Sequence, residues 1–239
     1  MIFSNFPKET TLAEPSAVPE LVRLQSLLQQ RHSCRAFLAS PVDDALIRQL
    51  LEAARHTASW CNAQPWEVLV TRGAATEAFR RAYSDWAAAH PAAPDHPFPR
   101  EYAGVYLERR RECGWALYDS VGIARGDRAA SARQAARNFE FFGAPHVAIV
   151  TSDARLGVYG AIDCGAWVGN FMLAATAAGL GCIAQAALAA HPDLIRRHFS
   201  LPDTRQVVCG VAFGYEDREH PANRFRTSRA PLEDTVRWY

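Results

Sequence analysis

The chain has 239 residues, 49% of them hydrophobic and 21% charged, enough for a sizeable core in one compact domain or a domain with an insertion. Its 26 basic and 25 acidic residues leave a formal net charge of +1 with no concentrated basic stretch, so nucleic acid is not an expected partner. Six cysteines at 34, 61, 113, 164, 182 and 209 form neither a C-x-x-C motif nor a Cys/His ligand pair, which argues against zinc and a disulfide framework and fits reduced thiols in the cytoplasm.

Residues 1–17, rich in Thr, Ser, Pro and Glu, read as a flexible arm and carry no basic-then-apolar signal segment. From Val18 to Gln30 the spacing of Val18, Leu21, Leu24, Leu27 and Leu28 predicts an amphipathic helix. Asp43 and Asp44 follow Pro41 and cap a second helix through Leu46, Ile47, Leu50, Leu51 and Ala54. A loop at Ser59–Trp66 follows, closed by Pro65, and then the β-branched run Glu67–Thr71 reads as a strand.

Residues 74–90 read as a helix, 91–99 hold four prolines and form a loop, and 100–142 read as two or three helices with arginines on their polar faces. A strand at Val147–Thr151, a helix over Gly160–Ala178, a glycine stop at 179–181, a short helix from Pro192, a strand over Gln206–Phe213 and an extended tail complete the chain. The apolar run Ala161–Leu180 contains Asp163, read as a satisfied buried acid, and Asn170, so it fits a buried helix of a water-soluble domain and not a membrane span. Few strands among more helices predict an α+β sandwich.

Four separated strings carry the chemistry. In Arg31-His32-Ser33-Cys34-Arg35 two arginines flank a hydroxyl; they fit a phosphate fork and equally fit solvated cations at a helix C-terminus. Because Lys8 is the single lysine, any fixed cation elsewhere in a site has to be an arginine. The loop Ser59-Trp60-Cys61-Asn62-Ala63-Gln64-Pro65-Trp66 offers polar contacts from Ser59, Asn62 and Gln64, while its tryptophans equally fit as core. Beyond the glycine stop at Gly179-Leu180-Gly181, the backbone amides of Ala184, Gln185 and Ala186 are candidate donors. The tail Arg226-Thr227-Ser228-Arg229 adds two more arginines. There is no G-x-G-x-x-G, no P-loop string and no serine elbow.

Taken together and in this order, the strings resemble the FMN-dependent nitroreductase family from about Val18 to the C-terminus, and most closely its oxygen-insensitive, nitroarene-reducing branch. The run Arg109–Tyr118, with Gly126-Asp127-Arg128 and Asn138–Pro145, is similar to that branch's insertion. The resemblance implies a nitroreductase-like α+β fold over residues 18–239, a mixed central sheet flanked by helices, with a helical insertion at 83–142 covering the pocket. It implies FMN held by Arg31, His32 (through its backbone), Ser33 and Arg229 on the phosphate side, and by Arg35 at the pyrimidine edge of the ring. Ser59, Asn62 and Gln64 would reach the flavin of the partner subunit, so the homodimer would share its sites.

NAD(P)H would be the electron donor and a small electron-poor acceptor the substrate, reduced through flavin N5 with no side-chain acid or base. Trp60, Cys61, Trp115, Tyr118, Phe141 and Phe142 are candidate walls of the acceptor slot, each with core packing as an equal reading. Quinone or enone reduction, reductive dehalogenation, flavin breakdown and a non-catalytic flavin-binding module stay open as alternatives, because the pocket-covering segment decides among such reactions.

Overall fold

The computed structural model describes residues 18–239; the expected arm at 1–17 lies outside the described residues. In chain order the elements are α1 (Pro19–Gln30), α2 (Asp44–Arg55), β1 (Glu67–Thr71), α3 (Ala74–Ala89), α4 (Gly104–Ser120), α5 (Arg128–Ala136), β2 (His146–Asp153), α6 (Gly157–Ala177), β3 (Gly181–Gln185), α7 (Pro192–Phe199) and β4 (Arg205–Gly214). Asp43 caps α2 by accepting the Ala45 N–H at 2.7 Å, as its position before the apolar run predicts. Gly179 stops α6 at φ +74°, where the Leu180 N–H turns back to the Ala175 carbonyl at 2.9 Å.

The sheet has the order β1-β2-β4-β3, and every pair of neighbours is antiparallel. The architecture is α+β as expected, but the expected mixing of strand directions is confined to one isolated parallel bridge, Ser33 with Cys182. The sequence reading finds β1, β2 and β4 and misses β3. Residues 181–185 follow a helix-stop glycine and carry little β-branched content, and only pairing with β4 makes them a strand.

β2 is buried along nearly its whole length, because both faces of the sheet are covered. Ala148 and Val150 point to a layer built from Ile47 and Leu50 of α2 and Trp167 and Phe171 of α6. Val147 and Ile149 point the other way, onto Phe79 and Tyr83 of α3 and Ile195 of α7. Among the described residues, no helix is long and apolar enough to cross a membrane.

Two amphipathic faces stay open. α1 buries none of its residues, and Val18, Leu21, Val22, Leu24 and Leu28 are 44% to 55% exposed. Val158, Tyr159 and Ile162 near the start of α6 are 53% to 65% exposed, and a side chain added at Gly165 or Gly169 would meet nothing within 4 Å.

His146, at the start of β2, is 1% exposed and fixes the chain leading into α2. Its Nε2 accepts the Val42 N–H at 2.9 Å, so the Nδ1–H is left to donate to the Thr71 carbonyl at 3.2 Å. Burial pushes its pKa below the ordinary histidine value, and a protonated ring would lose the Val42 bond. The unfolded chain therefore takes up a proton that the folded chain resists. The penalty is absent above about pH 6.5 and grows as pH falls from there toward the depressed folded value. Urea midpoints should fall between pH 7 and pH 5. In His146→Gln the fall should shrink without vanishing, because burial also depresses His191, His198 and His220; an unchanged pH slope would remove His146 from this role.

Candidate functional site

The segment after α1 is held against the outer edge of β3. Ser33 bridges Cys182, the Cys34 N–H donates to the Cys182 carbonyl at 3.1 Å, and a Cβ on Gly181 would come within 2.9 Å of Cys34 Sγ. Glycine at 181 is therefore what lets the two backbones approach. Burial pushes the thiol pKa values of Cys34 and Cys182 up to about 12, so both are neutral packing groups and not nucleophiles.

A second clamp comes from the C-terminal tail. Asn223, 3% exposed, accepts the Arg35 N–H at 2.6 Å on Oδ1 and donates from Nδ2 to the Ala36 carbonyl at 2.9 Å and the Asp217 carbonyl at 2.8 Å. Nothing local in the sequence marks it. The Arg35 guanidinium lies 5.5 Å from the centre of the Phe225 ring, donates to the Ser33 carbonyl at 3.1 Å, and has its pKa lowered by burial. His32 has both ring nitrogens engaged, with Nε2 2.7 Å from Glu216 Oε1 and Nδ1 3.0 Å from the Gln30 carbonyl.

These clamps bring the first and last strings together around a cleft of about 570 Å³ bordered by Arg31, Ser33, Arg35, Arg226, Thr227 and Arg229. Arg226 and Arg229 donate mostly to carbonyls of their own tail, and Arg229 also to Thr227 Oγ1 at 2.8 Å, which folds the tail into a basic rim. Ser33 and Arg35 also border a smaller cavity of about 290 Å³, closed by Tyr118, Gln134, Asn138, Phe142 and the run Ile183–Ala187. The cleft and the cavity thus share a wall. β3 is an edge strand, so the peptide groups not paired with β4 face outward, toward this space.

The Gln185 side chain donates from Nε2 to the Asn138 carbonyl at 2.9 Å and to Asn138 Oδ1 at 3.2 Å, while its Oε1 is buried with no partner among the described residues. Its side chain is therefore engaged with the insertion. Its backbone lies in register with Gly210 of β4.

The loop at Ser59–Trp66 lies elsewhere. It seats on α6, with the Trp60 N–H donating to Asp163 Oδ2 at 3.1 Å and the Trp60 ring 4.5 Å from that of Tyr159. Asp163 is thus a partly exposed acceptor for this loop, not the buried acid expected. Ser59 Oγ accepts the Gln64 N–H at 2.9 Å, and Gln64 Nε2 reaches the Asn62 carbonyl at 3.3 Å. Cys61, Asn62 and Gln64 hold left-handed φ values of 49°, 56° and 47°, a strained conformation for residues with a Cβ. Asp163 stands thirteen positions before Thr176 on α6, and Thr176 borders a neighbouring cleft together with Arg31 and Cys182. At 1.5 Å per residue these two helix positions are about 20 Å apart, so the loop and the Arg31 strip sit toward opposite ends of α6.

Among the expected acceptor walls, Tyr118 and Phe142 border the cavity. Phe141 does not: it is fully buried, with its ring 5.2 Å from Phe79, because left-handed φ values at Phe141 and Phe142 turn the chain into the core. Trp115 packs edge-on against Tyr118 under the Arg125 guanidinium and is absent from the cavity lining. Trp60 and Cys61 are exposed and go with the distant loop.

Residues 28–215 match the model of the Nitroreductase family. Nitrobenzene nitroreductase of Ectopseudomonas oleovorans is 33% identical over 214 residues, covering 88% of this chain and 94% of that protein. A 4-nitrobenzoate reductase of Pseudomonas putida is 34% identical over 209 residues, covering 85% and 90%. Among solved structures, the FMN-dependent nitroreductase NfnB of Mycobacterium smegmatis in complex with NADPH superposes with a TM-score of 0.87 at 32% identity, over 92% of this chain and 99% of that one. A nitroreductase of Desulfitobacterium hafniense with bound FMN, 21% identical with a TM-score of 0.60 over 90% of this chain and 97% of that one, shares the fold.

Asn223 is the test of how the site is assembled. Asn223→Ala removes three buried hydrogen bonds at about 1 kcal/mol net each, so urea denaturation should show a loss of roughly 2–3 kcal/mol. The tail should also become cleavable by trypsin at Arg224, Arg226 and Arg229 under native conditions. Wild-type stability together with an uncut tail would mean that the clamp carries no load.

Proposed function

The chain belongs to the nitroreductase family, and from that premise we propose that it is an FMN-dependent oxidoreductase that uses NAD(P)H to reduce nitroaromatic or similarly electron-poor compounds. The observation that carries this reading is an arginine-rimmed cleft beside a cavity lined by an edge strand, the two sharing the wall of Ser33 and Arg35. The donor set suits the cofactor. Arg31, Ser33, Arg226 and Arg229 supply the charge-assisted donors a phosphate needs, and Arg35, fixed over Phe225, supplies a cation for the electron-rich edge of a reduced ring. Gln185, a residue of the cavity wall, has its Oε1 buried and without a hydrogen-bond partner among the described residues.

When bound, FMN supplies two-electron hydride chemistry, taking electrons from NAD(P)H and passing them to the acceptor. The protein's part is to hold, orient and polarise. The backbone amides of Ala184, Gln185 and Ala186 orient the reactive edge and stabilise charge that develops there, with no side-chain acid or base. Tyr118 and Phe142 bound the space left for nicotinamide and acceptor, which take the same slot in turn.

The purified protein should release FMN on denaturation. NADH or NADPH should bleach the holoprotein's flavin without oxygen, and nitrobenzene should restore the colour. Initial-rate plots at several fixed nitrobenzene concentrations should be parallel. A protein that binds no FMN, or holds FMN that no nicotinamide bleaches, would end this reading.

The same reading makes the site a property of a homodimer. Ser59, Asn62 and Gln64 sit toward the other end of α6 from their own chain's Arg31 strip, so a second copy is what would bring them to a groove. The open apolar faces of α1 and α6, with gaps at Gly165 and Gly169 that admit a close neighbour, are the surfaces such a copy would cover. Light scattering of the holoprotein should give twice the 26.4 kDa chain mass; a monomeric mass with FMN still bound and reducible would contradict the shared site.

A further inference from the structure

α5 belongs to the segment that covers the cavity, and it is an odd helix to find in a folded protein. It buries a single residue, and that residue is a glutamine. Gln134 is 8% exposed and borders the 290 Å³ cavity, yet its Nε2 is buried with no hydrogen-bond partner among the described residues. An unmet buried amide costs on the order of 1–3 kcal/mol, so an apolar residue would serve packing better at this position. One helical turn further on, Asn138 donates from Nδ2 to the Ala135 carbonyl at 3.0 Å and presents its own carbonyl and Oδ1 to Gln185 Nε2. These bonds to backbone carbonyls fix which ends of Asn138 and Gln185 are donors, and they tie up the nearest amides. Gln134 is left as the uncommitted side-chain amide of the insertion's wall.

The wall built from β3 and Arg35 is the one the proposed function gives to the cofactor ring, and Gln134 belongs to the α5 wall of the same cavity.

We infer that Gln134 is a specificity-determining residue that donates its Nε2 N–H to an oxygen of the acceptor, selecting flat aryl compounds that carry a nitro, carboxylate or carbonyl oxygen over apolar aryl compounds of the same shape. The inference rests on the proposed function. It concerns binding alone: no proton or electron passes through Gln134.

The test uses oxidised FMN holoprotein without reductant, titrated with nitrobenzene and, separately, with toluene, and followed by the change in flavin absorbance. Gln134→Met keeps the length of the side chain and removes the donor, and Gln134→Glu replaces the donor with an acceptor. Both variants should bind nitrobenzene about tenfold more weakly, with toluene affinity and FMN affinity unchanged. In turnover the KM for nitrobenzene should rise by a similar factor, while kcat changes less than twofold.

Wild-type affinity for nitrobenzene in both variants would overturn the inference while leaving the enzyme reading intact. Weakened FMN binding in both would overturn it differently, by assigning Gln134 to the cofactor. An equal loss of nitrobenzene and toluene affinity would reduce Gln134 to packing. If the wild-type protein takes up no FMN, or its FMN is not bleached by NADPH, the proposed function falls and this inference with it.

Discussion

Asn223 joins two segments nearly the whole chain apart, through one acceptor and two donors that are all used on backbone groups. Without it, the Arg31–Arg35 strip and the arginine tail would be two exposed basic segments repelling each other. With it, four guanidiniums are gathered around one cleft, an arrangement that repulsion opposes and that an anionic ligand would relieve. The other attachments in the region work in the same direction. Ser33 is pinned to β3, Phe37 bridges Glu216, and His146 receives Val42, so the strip between α1 and α2 is fixed at each end. The site is therefore rigid on its basic side.

The insertion is built differently. α4 buries no residue, and its apolar and polar residues are spread around the helix with little segregation into faces. It is held by local contacts such as Arg110 over Tyr102 and Arg125 over Trp115, and by Ser228 donating to Glu112 at 2.9 Å. A wall that contributes little to the core is free to change its lining without disturbing the sheet. That is the physical basis on which one scaffold can serve different acceptors. The proline-rich stretch before α4 is better anchored than its composition suggests. Asp95 takes two bonds from Arg196 and one from the Val207 N–H, locking the stretch to α7 and β4.

The strained Ser59–Trp66 loop repeats this logic at the other end of α6. Three left-handed residues are held in place by Ser59 Oγ and by Asp163, so the polar groups of the loop stand outward, away from their own chain's core. Strain of this kind persists where the surroundings impose it. Here the imposing elements are α6 and the buried Pro65 that leads into β1.

Much of this protein is legible in its residues. The periodicity of α1, α2, α3 and α6, the cap at Asp43, the glycine stop at Gly179 and the branched runs of β1, β2 and β4 are local signals, because each depends on neighbours within a turn or on alternation along a strand. The arginine strings and the polar loop are legible as chemistry for the same reason. Three things were decided by tertiary structure alone. β3 exists because β4 pairs with it. Phe141 and Phe142 both went to the core, and Phe142 alone of the two also borders the cavity, through a backbone turn that neither side chain announces. Asn223 and His146 acquired their roles from burial beside groups 75 to 188 residues away, and Gln134 is buried with its Nε2 unpartnered among the described residues. A polar residue's pattern in sequence is the same whether it ends in water or in the interior. Only the packing of distant segments determines which, and with it the cost of leaving that residue unpaired.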